Sequence, residues 1–483
     1  MTSAAGGLLR RIDRAGGGLA ADLGWYLAAA AFALVTGVTS TLLPHRQWGL
    51  IAAWGYAVAA VVVVAQLVTY SLAGRAASAP ATSASGASIS ARAAGMPAAD
   101  ARPGAAASSA SPVEDAPDVP KSGFSLSTLF DDRCRAWLAW LTWAGVALLP
   151  LVVEAVQRAG GRTDRAQEEV LVVEAMGKSL VEHGTPYLSR AGIATLPIGE
   201  RLLGYRPYQP GMAIFGLPRA LAGDHWWTDA RVWFAITAVL AVGLAVAVLR
   251  PFHPFPVRAI QAATVLPVTA LTLATGGDDI PVLALCLLAL ALAATGRFAW
   301  SGVAVGIAAA AKLFAFPVVA VLVVLAVVAG RGRRLIPFAV GLPVLVLVPP
   351  LLADSDALVE NVLRFPLGHG LVTSPAQSPF PGYLVAQHLP GGRILAAALL
   401  VAAGLVIGWL LLRRPPRDAG AAALFCGWGL LAAILLMPTT RFGYLLYPAA
   451  LLVWAPVLAS APVLASATGV GVQQSHRSFR PTA

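Results

Sequence analysis

The chain has 483 residues, 58% of them hydrophobic and only 12% charged, with a mean hydropathy of +0.74. A water-facing surface needs about a quarter charged residues, so this composition excludes a soluble domain and indicates a polytopic membrane protein. The formal charge of +11 is explained by cytoplasmic loops that follow the positive-inside rule, and no interleaving of basic and aromatic residues points to nucleic acid.

Two apolar runs open the chain, 24–43 and 49–72. The first is long enough to span a bilayer and lacks the shape of a cleaved signal peptide, so it is expected to stay. Residues 1–74 thus form an N-terminal two-helix membrane segment. Residues 75–123 are rich in Ala, Ser, Pro and Gly. Such a stretch cannot bury enough apolar surface to order itself and is read as a disordered cytoplasmic linker. A catalytic block over 124–466 follows, then a basic cytoplasmic tail, 467–483. Its expected spans are 136–157, 230–249, 257–275, 281–295, a long run 301–329, 335–353, 394–412, 421–437 and 442–464. Cys134, Cys286 and Cys426 are scattered and offer neither a disulfide framework nor metal spacing.

Basic residues assign the sides. Arg10, Arg11 and Arg14 put the N-terminus inside, and Arg133, Arg135, Arg250, Arg258 and Arg297 agree with successive crossings. The run 301–329 contains Lys312 in the stretch GIAAAAKLFAFP. As one helix it would be about 43 Å long, against a hydrocarbon core of about 30 Å. A single crossing would also carry Arg331, Arg333 and Arg334 outside. Two shorter helices, broken between Lys312 and Pro317, keep every basic loop inside and put Lys312 near an outer turn. The expected fold is therefore all-α with eleven or twelve transmembrane helices, counting this re-entrant pair.

This topology gathers uncommon polar residues on the outer face. They are the long loop 158–229, the pair Asp278 and Asp279, Lys312, the loop 354–392 with His369 and His388, and the stretch PTTRFGY with Arg441 and Tyr444. Cations at a membrane surface suit a phosphate, and a carboxylate beside them suits proton abstraction from a hydroxyl. In the long loop, Asp164, Glu168, Glu169 and Glu174 precede or open a helical pattern of Val170, Val173, Met176 and Leu180 that stops at Gly184. An amphipathic helix along the membrane, presenting an acidic first turn to the site, is expected. Acids there also suit simple helix capping, as do Asp278 and Asp279 before the next span.

Four stretches carry a family likeness: EEVLVVEAMGKSLVEHGTPY, GYRPYQPGMAIFGLPRAL, SGVAVGIAAAAKLFAFP with GGDDIP before it, and RFGYLLYP. Over roughly 136–454 the chain resembles the polytopic GT-C glycosyltransferases. Within them it resembles glycosyltransferase family 87, the actinobacterial polyprenol-phosphate-mannose-dependent mannosyltransferases and their DUF2029 relatives. The resemblance implies transfer of mannose or another hexose from a polyprenyl-phosphate donor to an envelope lipid or glycan acceptor on the outer face. It also implies inversion at the anomeric centre, a carboxylate base, and neither cofactor nor divalent metal. By position Glu169 matches the family's catalytic aspartate, although Glu replaces Asp and Val173 replaces a tyrosine. Asp164 and Glu168 are alternatives. Lys312 and Arg441 are the phosphate-binding candidates. Tyr205, Tyr208, Asp278, Asp279, His369, His388 and Tyr444 are the substrate-binding candidates. The implied location is the plasma membrane, with both termini cytoplasmic. The rival readings are a sugar or lipid transporter or flippase and an inactive scaffold relative. Two roles fit the N-terminal helices, docking a protein partner or tethering.

Overall fold

The structure is a computed structural model that describes residues 18–78 and 131–460, with backbone alone over 73–78. Arg10, Arg11 and Arg14, the expected linker from 79 onward and the tail 467–483 lie outside the described residues.

In chain order the main elements are α1 (Leu19–Thr39), α2 (Leu43–Ser78), α3 (Asp132–Ala159), α4 (Glu168–His183) and α5 (Ala230–Leu249). Then come α6 (Val257–Thr264), α7 (Pro267–Thr275), α8 (Asp279–Ala294), α9 (Phe298–Ala311), α10 (Phe316–Val328) and α11 (Gly332–Ala353). After a second long loop follow α12 (Gly392–Arg413), α13 (Ala419–Leu436) and α14 (Leu446–Ala459). Among the described residues eight helices are long and apolar enough to cross a bilayer, the bent pair α6–α7 makes a ninth if it is one span, and α8, α9 and the Leu313–Val328 segment are shorter apolar helices. The protein is an all-α polytopic membrane protein.

Helix α8 is the axis of the bundle. All of its residues are buried, as expected of a helix that is apolar on every side. Within lipid, helices associate through close packing of small residues rather than through the hydrophobic effect. The α9–α11 contact shows this. Gly302 lies against the backbone of Leu335, and Gly306 lies against the backbone of Phe338 and the Leu342 side chain. Advancing along α9 therefore advances along α11, so the two helices run parallel from the same end. Helix α10 between them must return, as the in-and-back reading of the lysine segment requires.

The expected span 257–275 differs from the sequence reading. It is two helices bent by 42°. Pro267 opens α7, where its missing N–H costs nothing. At the break, the Tyr56 hydroxyl of α2 donates to the Val265 carbonyl at 2.9 Å, satisfying a group that a continuous helix would have paired. A second irregularity, a π-turn over Ala144–Leu148 in α3, is served in the same way. Trp48 Nε1 donates to the Val146 carbonyl at 2.7 Å.

These two bonds show that α2 is packed into the bundle. A third contact ties in α1. Asp22, fully buried, accepts from Arg135 Nε at 2.6 Å, from Arg258 at 2.6 Å and from Gln261 at 2.9 Å. One carboxylate thus joins α1, α3 and α6. Asp22→Ala removes the anion that both guanidinium groups share. Breaking a buried pair costs about 3–5 kcal/mol, so the thermal midpoint in detergent is expected to fall by several degrees. An unchanged midpoint would contradict the joint.

Candidate active site

Lys312 ends α9 in an extended conformation, with φ −153° and ψ 142°, so the helix stops at the lysine itself. A 3-10 turn, Leu313–Ala315, leads into α10, and Pro317 sits in the first turn of that helix. The break turns the lysine toward α8. Its Nζ lies 3.0 Å from Asp278 Oδ1 and 2.6 Å from Asp279 Oδ1. The rings of Tyr208, Tyr444 and Phe314 surround it at 5.3, 5.7 and 6.0 Å, within cation–π range. Tyr447 donates to Asp279 Oδ1 at 2.9 Å. Asp278 Oδ2 is buried without a hydrogen-bond partner among the described residues. Burial pushes the Asp278 carboxyl above the usual carboxylate range; Lys312 pulls it back, and the charges of Asp279 and Glu169 add to the rise.

Glu169 reaches this cluster because α4 is seated on the turn before α8. Gln167 N donates to the Thr275 carbonyl at 3.3 Å, and Val170 packs over Gly276. Gly276 has φ +106°, a conformation that glycine adopts without strain. Glu169 pairs directly with Arg441, and this cation is 35% exposed while the lysine is 8% exposed. Glu168 is exposed beside them. Partial desolvation raises its carboxyl, the charge of Glu169 raises it further, and Arg441 opposes both. Tyr208 is placed by its own strand of loop. Gln209 N donates to the Ala311 carbonyl at 3.1 Å, one residue before the lysine, and Tyr187 donates to the Tyr208 carbonyl at 2.8 Å. Arg441 is positioned by a short pairing of two loops, in which Thr440 N donates to Ala376 O at 3.0 Å and Ser378 N to Thr440 O at 2.9 Å.

The structure therefore brings Glu169, Glu168, Asp278, Asp279, Lys312, Tyr208, Arg441 and Tyr444 together. The other candidates lie elsewhere. Asp164 is exposed, 4.0 Å from Arg162 and 3.8 Å from Arg165. Tyr205 is buried in a separate small cluster, stacked on Phe365 at 4.1 Å and donating to Glu360 at 2.9 Å. Glu360 also holds Arg190 at 2.7 Å, so Tyr205 ties the two long loops, 158–229 and 354–392, to each other. His369 and His388 are exposed; the Arg190 guanidinium donates to the His369 carbonyl at 3.0 Å, and His388 Nδ1 lies 3.0 Å from the Leu384 carbonyl.

Two features are absent from the sequence reading. Tyr447 and Phe314 line the cluster, stacked at 5.3 Å; Tyr447 follows Tyr444 by three residues, a helical spacing that offered a signal. The second feature is an ionic clamp beneath α4. Arg158 meets Glu174 at 2.6 Å and Asp229 at 2.9 Å, and Arg231 meets Asp229 at 2.8 Å and Glu154 at 2.9 Å. Glu174 is thus a structural acid. Burial alone would raise Asp229, but Arg231 and Arg158 outweigh it and hold the carboxyl down at about 2. Among the described residues no three His, Cys, Asp or Glu side chains form a metal-holding group.

Residues 207–438 match the family model of glycosyltransferase family 87. This agrees with the GT-C likeness and, with the membrane-length helices, supports a membrane glycosyltransferase. The matched region includes Tyr208, Asp278, Asp279 and Lys312, whereas Glu169 and Arg441 lie outside it. No curated protein and no solved structure matches the chain.

The seating of α4 can be tested at Gly276. A Cβ there would lie 2.1 Å from Val170 Cγ2 and 2.8 Å from Arg231 Cγ, and the backbone would be strained as well. Gly276→Ala is expected to cost about 1–3 kcal/mol and to lower the thermal midpoint measurably. A midpoint equal to that of the parent would mean that α4 is not held against this turn.

Proposed function

We propose that the protein transfers a hexosyl group from a polyprenyl-phosphate donor to an envelope lipid or glycan hydroxyl, with inversion, at the cluster around Lys312. The observation that carries this reading is the side-by-side arrangement of two carboxylate–cation groups, Glu169–Arg441 and Asp278–Asp279–Lys312, under a wall of aromatic rings.

The steps follow from these groups. Glu169 accepts the proton of the acceptor hydroxyl while the hydroxyl oxygen forms its bond to the anomeric carbon. The bond from that carbon to the phosphate oxygen breaks, and its electron pair leaves with polyprenyl phosphate. Negative charge grows on the leaving oxygen, where a positioned cation is most effective. Arg441 fits this task, being the more exposed cation. An incoming phosphate competes with Glu169 for the guanidinium and so frees the carboxylate to act as base. Lys312 adds positive charge near the phosphate and holds Asp278 and Asp279 in the site. The unpartnered Asp278 Oδ2 suits a hydroxyl of the sugar. The aromatic rings exclude water that would otherwise compete as acceptor. No cofactor enters this sequence of steps.

Charge supports an extracytoplasmic site in the plasma membrane. The end of the bundle away from Lys312 carries Arg250, Arg297, Arg331–Arg334 and Arg413–Arg417, and short loops rich in arginine face the cytoplasm. Both termini are then cytoplasmic.

Membranes bearing the protein, given labelled polyprenyl-phosphate sugars and envelope lipid, are expected to transfer one sugar. Loss of a general base costs about 10²–10⁴-fold, so Glu169→Gln is expected to fall in that range, while Asp164→Asn stays within about twofold. Full activity in Glu169→Gln would remove the residue from the reaction. Glu168→Gln separates Glu169 from its neighbour. A base works only when deprotonated, and the Glu168 carboxyl is raised. Turnover kept in Glu168→Gln is expected, with an acid limb that stays or moves down because a neighbouring negative charge has been removed; a loss as large as that in Glu169→Gln would transfer the role of base to Glu168.

A further inference from the structure

At the end of the bundle opposite Lys312, the first two turns of α3 and the last two turns of α5 enclose a groove of about 260 Å³. The two helices contribute in the same register. Arg133, Trp137 and Trp140 lie on one face of α3, and Gly243, Ala247 and Arg250 lie on one face of α5, because residues three, four and seven apart share a helix face. Phe255 closes the end. Both arginines stand at the rim and are exposed, and neither has a carboxylate partner among the described residues. No acidic side chain lines the groove. Trp137 is 58% exposed, so the groove opens sideways toward the bilayer. A Cβ on Gly243 would meet nothing within 4 Å, so the floor is open along α5.

We propose that this groove binds one anionic phospholipid of the leaflet opposite the Lys312 site. Its phosphate lies between Arg133 and Arg250, and the start of an acyl chain runs along Trp137, Trp140 and Gly243. Three observations select this occupant. The two rim charges are both positive and have no carboxylate partner among the described residues, which fits an anionic headgroup; basic pockets between transmembrane helices recognise such lipids. Tryptophans beside them sit at the level where a ring meets both headgroup and hydrocarbon. The sideways opening gives a lipid, which is already in the membrane, direct access. The site is remote from the transfer chemistry and does not depend on it.

The test uses the purified full chain in nanodiscs of phosphatidylcholine alone or with one-third phosphatidylglycerol, read by thermal midpoint and by lipid retained in native mass spectrometry. The parent is expected to gain several degrees with phosphatidylglycerol and to retain one such lipid. In Arg133→Ala/Arg250→Ala, retention is expected to weaken about 30-fold, at about fivefold per arginine. Gly243→Leu fills the floor without changing charge and is expected to remove the same lipid; it keeps the test valid if the double variant folds poorly in phosphatidylcholine. Inorganic phosphate is expected to leave the midpoint unchanged. A parent indifferent to phosphatidylglycerol would overturn the proposal and leave the groove to a segment of the chain itself. So would lipid retention that survives both variants, or a midpoint shift produced by inorganic phosphate alone.

Discussion

A lysine ammonium buried within a membrane protein must find counter-charge, and that constraint organises the centre of this molecule. Lys312 finds two carboxylates, Asp278 and Asp279, at the head of the wholly buried helix α8. Meeting them requires α9 to stop at the lysine, and stopping there lets the chain turn back as α10. The return of α10 in turn allows α11 to start beside α9, glycine against backbone. One ion-pair requirement therefore fixes a break, a reversal and a helix–helix packing. Buried charges bring desolvation costs that pairing only partly offsets. Retaining three of them at the end of a bundle is easier to understand as a requirement of chemistry than of stability.

The site is assembled on layers of support. The clamp of Arg158, Arg231, Glu174, Asp229 and Glu154 fixes the base of α4 to α3 and α5. That clamp and the Gly276 turn together present Glu169. A separate tie, Tyr205 to Glu360 to Arg190, joins the two long loops, and the strand-like pairing at Thr440 holds Arg441. At the other end, Asp22 binds the N-terminal helices to α3 and α6, which makes them part of the bundle frame.

Much of this was legible in the sequence because a bilayer imposes simple rules. Apolar length marked the spans, arginine-rich loops marked their ends, and the excessive length of 301–329 marked a break. The helix 168–183 was legible from its apolar spacing and its stop at Gly184, which has φ 71°. What sequence alone did not yield were features decided by partners far along the chain. The carbonyl freed at the Val265 bend finds its partner in Tyr56, 209 residues away. The role of Glu174 depends on Arg158 and on Arg219 at 3.2 Å, so a buried structural acid and a site acid looked alike in one short stretch. Tyr205 and Tyr208, three apart in one motif, face different clusters because the loop turns between them.

The central claim is that Arg441 exchanges Glu169 for the donor phosphate. The most direct measurement is a cryo-electron microscopy structure with a non-transferable polyprenyl-phosphate sugar bound. The account predicts phosphate density against the Arg441 guanidinium, Glu169 released toward the anomeric carbon, and Lys312 still held by Asp278 and Asp279. A donor bound elsewhere, with the Glu169–Arg441 pair intact, would contradict it.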